Sequence, residues 1–325
     1  MIPAANNAVT GAAARLAIAT GPALSDVNWA TDASGMFTFL SESMQKVEQV
    51  VNSGGIRGTR ARAKEQDRAG TYTVGGTVSM IASAGMLEVI FPLILGAEKI
   101  AEGGGDALDR YHPSDTLLDF GMLIDKLGAI YEYRDCYVNR ATFNGTKDQP
   151  ITVDLDIVAK EQGTESSWPT VGPGAMTAIN TGGSWTPYIF TDLDLDLDGQ
   201  EDVPINTFSL SVDNAIDVQH RNSQAPTSLV PHDRTVTLTV EVPFNTTTEP
   251  ALYSGASDTN GQVVMSSSTC PCTIKFPHLA LTKQTATVPG KSELGLTLQY
   301  EARSSGYAAG TSDTHDIYID LDSTV

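Results

Sequence analysis

The sequence contains few cysteines and lacks the regular cysteine spacing of small secreted proteins. Its three cysteines, Cys136, Cys270 and Cys272, form an odd and sparse set. A disulfide framework is therefore not expected, and a reducing compartment is the simpler interpretation. Cys270 and Cys272 flank a proline and could in principle bind a metal, but the nearest histidine, His278, lies outside ligand spacing. We predict no metal site and no cofactor, and we expect an ordinary strand edge at this position.

Long apolar runs are also missing. The longest, residues 86–95, is interrupted by Glu88 and Pro92 and is too short to cross a bilayer. Residues 1–20 are rich in alanine but carry a single basic residue, Arg15, and no strong apolar centre, so they do not resemble a secretion signal. We expect a soluble protein or a component of an assembly, without a membrane partner.

Basic residues are scarce relative to acidic residues. The chain has 20 lysines and arginines against 39 aspartates and glutamates, which gives a net charge of −19. Such a surface repels nucleic acid over most of its area, so a direct DNA-binding role is not expected. A surface that must avoid adhering to DNA is compatible with this charge.

Catalytic motifs are absent as well. The sequence has no Gly-x-Ser-x-Gly motif, no glycine-rich phosphate loop with a lysine and no His-Glu-x-x-His motif. The five histidines are scattered, and each has an ordinary interpretation in a loop or at a strand edge. They are His112, His220, His232, His278 and His315. We predict that the protein is not an enzyme.

The sequence does contain β-strand patterns, in a chain of 325 residues that is long enough for two domains. Strand patterns occur at 36–40, 71–80, within 117–160, and at 187–198, 205–220, 234–243, 272–282, 293–303 and 316–322. Residues 151–160 alternate strictly, with Val153, Leu155 and Ile157 on one face. The clearest helical pattern is 83–97, between Ser83 as N-cap and Gly96 as C-terminal stop. Glycine and charged residues predict exposed loops at 54–70 and 101–116.

An internal repeat is the most informative feature. The matched segments, in order, are 38–41 with 207–211, 77–80 with 235–238, 96–97 with 255–256, 151–160 with 294–303, and 189–194 with 317–322. Five matches in the same order favour a duplication, and the alternative is one large β fold whose strands look alike. We predict a mainly β protein with two tandem β-sandwich or barrel units, each with a short flanking helix or helix-like segment. The predicted division is an N-terminal arm (1–32), a first unit (33–163), a linker (164–186) and a second unit (187–325).

Several motifs follow one another in a recognisable order. Residues 37–68 (FTFLSESMQKVEQVVNSGGIRGTRARAKEQDR) hold a strand with Ser-Glu-Ser and a loop with Gly-Ile-Arg-Gly, and a strand with the sequence GGTVSM follows at 75–80. A helix then ends in Leu93-Ile94-Leu95-Gly96, and residues 208–224 (FSLSVDNAIDVQHRNSQ) supply a related strand in the second half. In this combination the sequence resembles the tail tube proteins of long-tailed bacteriophages, across residues 34–325.

This resemblance implies a β-sandwich or barrel unit with a flanking helix. It implies that subunits join their inner sheets into one closed barrel, and that the rings stack into a hollow tube through which DNA passes during ejection. For a chain with a duplicated unit it implies a trimeric ring of pseudo-sixfold symmetry, which we expect in preference to a hexamer. The expected partners are further copies of the chain, the tape-measure, terminator and baseplate proteins, and DNA that passes without specific binding. The expected location is the virion tail, after a stage in the host cytoplasm.

One segment concentrates the basic residues, and it lies within the predicted loop 54–70. Its members are Arg57, Arg60, Arg62, Lys64 and Arg68. A nucleic-acid site is not favoured, since no aromatic residues interleave and Glu65 and Asp67 interrupt the run. Two interpretations stay open: a solvated flexible loop, and an inter-ring contact that pairs with carboxylates of a neighbouring ring.

Another segment alternates aspartate with leucine. The aspartates are Asp192, Asp194, Asp196 and Asp198. Gly199 follows as in a calcium loop, but with Asp194 as first ligand the twelfth position is Ile205, where a bidentate glutamate is required. A strand with buried leucines and exposed aspartates is the preferred interpretation, and its acidic face suits a lumen or an outer surface.

Two other functions remain as alternatives. Another virion β protein, such as a baseplate, tail-terminator or capsid-decoration component, shares the composition but not the ordered motifs. A carbohydrate-binding β-sandwich needs clustered exposed aromatic residues, whereas aromatic residues make up 7% of this chain. Of its three tryptophans, Trp168 and Trp185 flank the predicted linker and could form a small cluster.

Overall fold

The computed structural model is built almost entirely from antiparallel β-strands. It describes residues 14–20, 29, 33–52, 67–96, 100–101, 108–166, 168, 185–197, 201–244, 259–266, 270–287, 294–304 and 315–322. Within these residues every strand pairing is antiparallel, which confirms the prediction of a mainly β chain. None of the helices among them is long and apolar enough to cross a membrane.

The strands are numbered in chain order. The strands up to residue 165 are β1 (Arg15–Thr20), β2 (Ala33–Phe37), β3 (Ser41–Glu42), β4 (Gln45–Asn52), β5 (Asp67–Ile81), β6 (Ile100–Ala101), β7 (Leu108–Tyr111), β8 (Phe120–Asp125), β9 (Ile130–Thr146), β10 (Thr152–Ala159) and β11 (Glu161–Glu165). The later strands are β12 (Leu193–Leu197), β13 (Thr207–Asp213), β14 (Asp217–Gln219), β15 (Ser228–Val230), β16 (Thr235–Pro243), β17 (Thr259–Ser266), β18 (Pro271–Thr287), β19 (Gly295–Arg303) and β20 (Tyr318–Asp322).

The central feature is one long sheet with the strand order β4-β5-β10-β9-β13-β16-β19-β18. The short strand β3 pairs with β5 beside β4 and in the same register. Alternate residues of β10, β13, β16 and β19 are buried, and the predicted face of Val153, Leu155 and Ile157 lies in the core as expected. The opposite face of the long sheet is polar.

Two flanking sheets are built on the longest strands, because β9 and β18 each leave the long sheet partway along their length. Residues 130–136 of β9 pair with β8 and β11, and β1 and β2 extend that flanking sheet. The first residues of β18 pair with β17 and β20, and β12 and β7 extend the second flanking sheet. A single hydrophobic cluster of buried side chains runs through both parts.

The two parts of the long sheet repeat one strand order. The first part reads β3/β4-β5-β10-β9, and the second reads β13-β16-β19-β18. The flanking sheets repeat as well, with β1-β8-β9-β11 matching β12-β17-β18-β20. Equivalent strands occur in the same order along the chain, as a duplicated β unit requires.

The ladder registers identify equivalent residues and correct part of the predicted repeat. The match of 151–160 with 294–303 agrees with the ladders at the same offset. Residues 77–80 correspond to 239–242, four residues beyond the predicted match, because Thr77 and Thr239 face equivalent positions of β10 and β19. The match of 189–194 with 317–322 is wrong, since β12 pairs with β17 whereas β20 takes the place of β11. The match of 96–97 with 255–256 involves residues outside the described part.

The predicted helix forms at Ala84–Leu95 and is labelled α1. Ser83 is its N-cap residue, and Gly96 ends it in the left-handed conformation that glycine adopts without strain (φ 77°), with its N–H donating to the Pro92 carbonyl. Most of the helix is buried, since it packs against β9, β7 and β20 and so contacts both parts of the chain. In the second part, the described helical residues form a one-turn 3-10 helix at Phe190–Asp192.

Two segments differ from their predictions because tertiary pairing overrides local composition. The predicted loop 101–116 contains β7, which pairs with β20 from the far end of the chain. The predicted loop 54–70 ends earlier, because β5 begins at Asp67. Residues 1–32, which the pattern predicts as an arm or an early strand with loops, contain β1, which belongs to the first flanking sheet.

Candidate assembly surfaces

The junction between β9 and β13 joins the two parts of the chain into one sheet. Seven residue pairs face each other, from Thr146 and Thr207 at one end to Arg140 and Asp213 at the other. On the core face, Phe143 lies opposite Leu210, and both are buried. The sequence contained both strands, but nothing in it indicated that they pair with each other.

A ladder of polar side chains crosses this junction on the open face of the long sheet. Ser79 donates its hydroxyl hydrogen to Asp154 Oδ1 at 2.5 Å, and Asn144 Nδ2 donates to Asp154 Oδ2 at 3.1 Å. Ser209 Oγ in turn donates to Asn144 Oδ1 at 3.0 Å. The ladder spans β5, β10, β9 and β13, so polar contacts hold the two parts together as well as apolar ones.

The open face of the long sheet is acidic and rich in hydroxyl groups. Its carboxylates on β10, β13, β16 and β19 are Asp154, Asp156, Asp213, Glu241 and Glu301. Threonine and serine occupy most of the alternating positions between them. Arg140, Lys283 and Arg303 also lie on this face, and the guanidinium of Arg140 pairs with Asp213 at 3.0 Å. The carboxylates outnumber these basic residues, so the described part of the face is negative, and the ion pair between Arg140 and Asp213 lies across the junction.

Asn214 stabilises the end of the junction through hydrogen bonds on its buried side. Its side chain is buried, and Nδ2 donates to the carbonyl oxygens of Ile94 and Val138, each at 3.0 Å. Its backbone N–H donates to the Asn139 carbonyl at 2.8 Å. The residue thus ties the last turn of α1 to β9 and to the segment after β13. Sequence patterns did not single it out, because an asparagine after a strand usually indicates a turn.

One end of the long sheet is formed by β3 and β4. Among the described strands β4 pairs with β5 alone, and its side chains project into solvent along nearly its whole length. Val47, Val50 and Val51 are 48%, 68% and 58% exposed. Exposed apolar side chains on an unpaired strand edge are the features of a surface that another strand covers.

The other end of the long sheet is the last part of β18. Residues 283–287 pair with β19 on one side, and no described strand pairs with them on the other. Lys283 and Ala286 are exposed, while Gln284 and Thr285 are half-buried. Among the described strands, the long sheet therefore has two open ends. One is the β3–β4 edge, and the other is the last part of β18.

The predicted basic segment is only partly described by the structure. Arg57, Arg60, Arg62 and Lys64 follow β4 and precede β5 in the sequence and are outside the described residues. Arg68 lies in β5 opposite Val51 and is exposed. The structure thus places one of the five predicted residues at the edge of the hairpin.

The base of the β4–β5 hairpin is held by the second part of the chain. The Tyr72 N–H donates to the Gln224 carbonyl at 3.0 Å, and Gln224 Nε2 donates to the Ala69 carbonyl at 3.0 Å. His220 Nε2 lies 2.7 Å from the Tyr72 carbonyl oxygen. Lys46 lies over the Tyr72 ring, and a hydrogen bond with Glu48 raises the pKa of Lys46.

The predicted acidic strand is only partly regular. Asp194 and Asp196 lie on β12, which pairs with β17 in the second flanking sheet and not in the long sheet. Asp192 lies in the 3-10 helix and accepts the Ile189 N–H at 3.2 Å, so it does not share their face, and Asp198 is outside the described residues. As predicted, Leu195 and Leu197 are buried, but Asp194 is half-buried instead of exposed.

The surroundings of β12 explain the state of its carboxylates. Burial, together with the negative charges of Asp196 and Asp202, raises the pKa of Asp194. Asp196 accepts hydrogen bonds from Gln262 Nε2 at 2.6 Å and from the Asp202 N–H at 3.2 Å. No group of three or more potential metal ligands is found among the described residues.

The three cysteines are buried and form no disulfide. Burial raises the pKa of the Cys136 thiol well above its usual range and also raises that of Cys272. Buried thiols of this kind react slowly, because the reactive thiolate is disfavoured.

Comparison with known proteins points to one family. The sequence profile of a family described as phage tail tube protein matches residues 8–304, which is nearly the whole chain. A search of curated proteins finds no match.

Proposed function

The chain belongs to the phage tail tube protein family, and from that premise we propose that its copies close into rings that stack into a hollow tube for DNA. A structural role in the virion tail follows from the family itself. The observation that carries the finer proposal is the continuous long sheet, which has an internal junction at β9–β13 and an open strand edge at each end. Head-to-tail association of such edges gives a closed ring when the rotation closes.

The proposed ring contains three chains. Each chain supplies two β units of like strand order, divided near the predicted linker 164–186, so three chains provide six similar positions. The β4–β5 hairpin and its counterpart, the segment between β13 and β16, differ in length and sequence. The symmetry is then only approximately sixfold.

The proposed lining of the tube is the open face of the long sheet. Its carboxylates repel phosphate, and its hydroxyl groups carry no charge that would attract it. Each free lysine or arginine, in contrast, would add a contact that slows DNA. Arg140 is neutralised by Asp213, and the carboxylates of the face outnumber its other basic residues, Lys283 and Arg303. The acidic residues of β12 lie in a flanking sheet and are assigned to the outer part of the ring.

The basic segment that connects β4 and β5 is proposed to contact the next ring. Arg57, Arg60, Arg62, Lys64 and Arg68 would pair there with carboxylates, which the acidic subunit offers in excess. Such pairs set orientation and register more than affinity. Tape-measure, terminator and baseplate proteins are the proposed partners at the tube ends, and the host cytoplasm is the proposed site before assembly. We propose no catalytic role.

Electron microscopy of the purified protein tests the central proposal. Negatively stained samples should contain rings or long hollow tubes, and native mass spectrometry should show three chains per ring. Dispersed monomers at high protein concentration would argue against a tube subunit. They would favour a different virion β protein. Six chains per ring would overturn the trimer but not the tube.

Charge reversal tests the inter-ring contact. Replacing Arg57, Arg60 and Arg62 with glutamate should reduce tube length while rings and the folded subunit persist. A matched control reverses three exposed basic residues elsewhere, Lys147→Glu, Arg221→Glu and Arg303→Glu, with the same change in net charge. Equal loss of tubes in both variants would assign the effect to net charge and remove the special role of the basic segment.

A further inference from the structure

We propose that the ring junction pairs residues 283–286 of β18 in one copy with residues 44–47 of the β3–β4 edge in the next copy, in the register of the internal β9–β13 junction. This inference rests on the proposed function, because it needs copies that associate side by side. It adds which strands meet and which residues face each other. The register follows from a comparison of the internal β9–β13 junction with the two open ends of the same chain.

The first step equates β18 with β9. Both strands are 17 residues long, and both leave the long sheet partway along. Each carries a bulge at the same place in its ladder. Asn139 is skipped between β9 and β10, and Thr282 is skipped between β18 and β19. Lys283 therefore corresponds to Arg140, Thr285 to Thr142 and Ala286 to Phe143. Bulges are positional features of a fold, so their coincidence fixes this alignment.

The second step equates the β3–β4 edge with β13. From Ser41 to Glu48, β3 and β4 face β5 in one register, and β13 faces β16 in one register along its whole length. Since Thr77 corresponds to Thr239, the ladders place Gln45 at the position of Ser211 and Val47 at the position of Asp213. Met44 then corresponds to Leu210, and both side chains are buried in the core.

Combining the two steps gives the facing pairs across the ring junction. Val47 faces Lys283, Gln45 faces Thr285 and Met44 faces Ala286 of the neighbouring copy. Their counterparts in the internal junction are Asp213–Arg140, Ser211–Thr142 and Leu210–Phe143.

The free β3–β4 edge is also partly capped within its own chain. The Met44 N–H donates to Glu42 Oε2 at 2.9 Å, and the Met44 carbonyl accepts hydrogen bonds from Lys126 Nζ and from the Tyr133 hydroxyl, each at 3.0 Å. Lys126 and Glu42 form an ion pair at 2.9 Å. Met44 thus has its backbone groups satisfied before a partner arrives, which is one way in which strand edges are protected from aggregation.

Engineered disulfides test the register. The variant Gln45→Cys/Thr285→Cys places its thiols at facing positions, whereas Gln45→Cys/Lys283→Cys is displaced by two residues. Facing positions allow the short Cβ separation that a disulfide needs, and diagonal positions do not. The buried native thiols should not compete. The geometric control is Ser211→Cys/Thr142→Cys, the equivalent pair inside one chain, which should close within the monomer and protect both thiols from labelling.

After mild oxidation of rings or tubes, non-reducing gels should show covalent dimers and trimers for the facing variant. The displaced variant should give roughly tenfold less product, because its thiols are too far apart. If rings form and the internal control closes, but the displaced pair or neither pair cross-links, the proposed register is wrong while the tube function stands. If the unmodified protein forms no rings, the tube proposal itself fails, and the ring junction fails with it.

Discussion

The internal junction and the two open ends of the long sheet use equivalent strands but differ in exposure. Phe143 and Val212 are buried where β9 meets β13. Their counterparts, Ala286 of β18 and Lys46 of β4, are exposed. The difference indicates that the side chains of a strand depend on whether the neighbouring strand belongs to the same chain. Where it does, the junction is apolar and permanent. Where the partner would have to be another copy, the side chains at these two positions are small or charged and can remain in water.

A second pair of positions repeats the contrast in the second flanking sheet. Asp320 lies on β20, whose outer edge is covered by β7, and it is buried between Arg110 and Lys275 at 2.5 and 2.8 Å. Burial opposes the ionisation of Asp320, but these hydrogen bonds and charges outweigh it, so its pKa is lowered. Asp194 lies on the edge strand β12, among other acidic residues, and its pKa is raised.

The largest expected effect comes from opening the internal junction. Phe143→Ala removes a buried ring that packs near Phe91, with 6.1 Å between ring centroids. The free energy of unfolding should fall by about 3–5 kcal/mol, as for other large-to-small core substitutions. Urea denaturation of the monomer measures it. Ala286→Ser at the equivalent exposed position should change it by less than about 0.5 kcal/mol. Equal losses of unfolding free energy in the two variants would show that the neighbouring strand at the internal junction does not make its position more important for stability.

The next effect concerns the covered edge at β20. Asp320→Asn leaves Arg110 and Lys275 without their carboxylate, and we expect a loss of about 2–3 kcal/mol at pH 7. Because the pKa of Asp320 is lowered by folding, its stabilisation is complete above the ordinary carboxyl pKa and is lost as the pH falls through it. The difference between the variant and the unmodified protein should therefore shrink below about pH 4. A difference that does not depend on pH would contradict the ionic explanation.

A smaller effect is expected where the proposed ring junction can be made to imitate the internal junction. Val47→Asp would place a carboxylate opposite Lys283, as Asp213 stands opposite Arg140, whereas Val47→Lys would place two cations together. Each ion pair or repulsion contributes about 0.2–1 kcal/mol. The critical concentration for assembly, measured by sedimentation, should fall for Val47→Asp and rise for Val47→Lys by up to about fivefold. Both changes in the same direction would indicate that only the loss of valine matters.

The smallest effect is expected at the edge strand β12. Asp194→Asn removes a carboxylate that folding makes harder to ionise, so the variant should be more stable at pH 7 by roughly 0.5 kcal/mol. The sign follows from the raised pKa: the folded chain holds this proton more tightly, so the unmodified protein gains stability as the pH falls toward the ordinary carboxyl range. The variant should lack that gain. A loss of stability at pH 7 would show that Asp194 is engaged in a favourable contact.

Local patterns predicted the elements that depend on local sequence. Helix α1 was predicted at its observed position because an apolar run lies between a serine and a glycine that suit the two ends. Strand β10 was predicted with the correct buried face because its residues alternate strictly. β7 and β17 were missed, since short strands in polar surroundings are recognisable only by the strands beside them.

The candidate surfaces were predicted less completely. The sequence pattern singled out the basic segment, most of which lies outside the described residues. It did not indicate the exposed valines of β4, because an unpaired edge is a property of the sheet and not of the strand. The aspartates of β12 were found as a motif, yet their place in a flanking sheet depends on pairing with β17. Asn214 donates hydrogen bonds to Ile94, Val138 and Asn139, all of which lie far from it in sequence, so no local pattern indicates it.

The sequence by itself determined that the chain is mainly β, that it is acidic and that its two halves are similar. Composition and the periodicity of apolar residues are local properties, which a few neighbouring residues set. Only the tertiary structure decided that β9 meets β13, and that the open ends are β4 and β18. Pairing between strands is set by register and burial over long separations, and a shift of one residue would turn every side chain to the other face. The same long-range pairing covers the internal junction and leaves the two ends open.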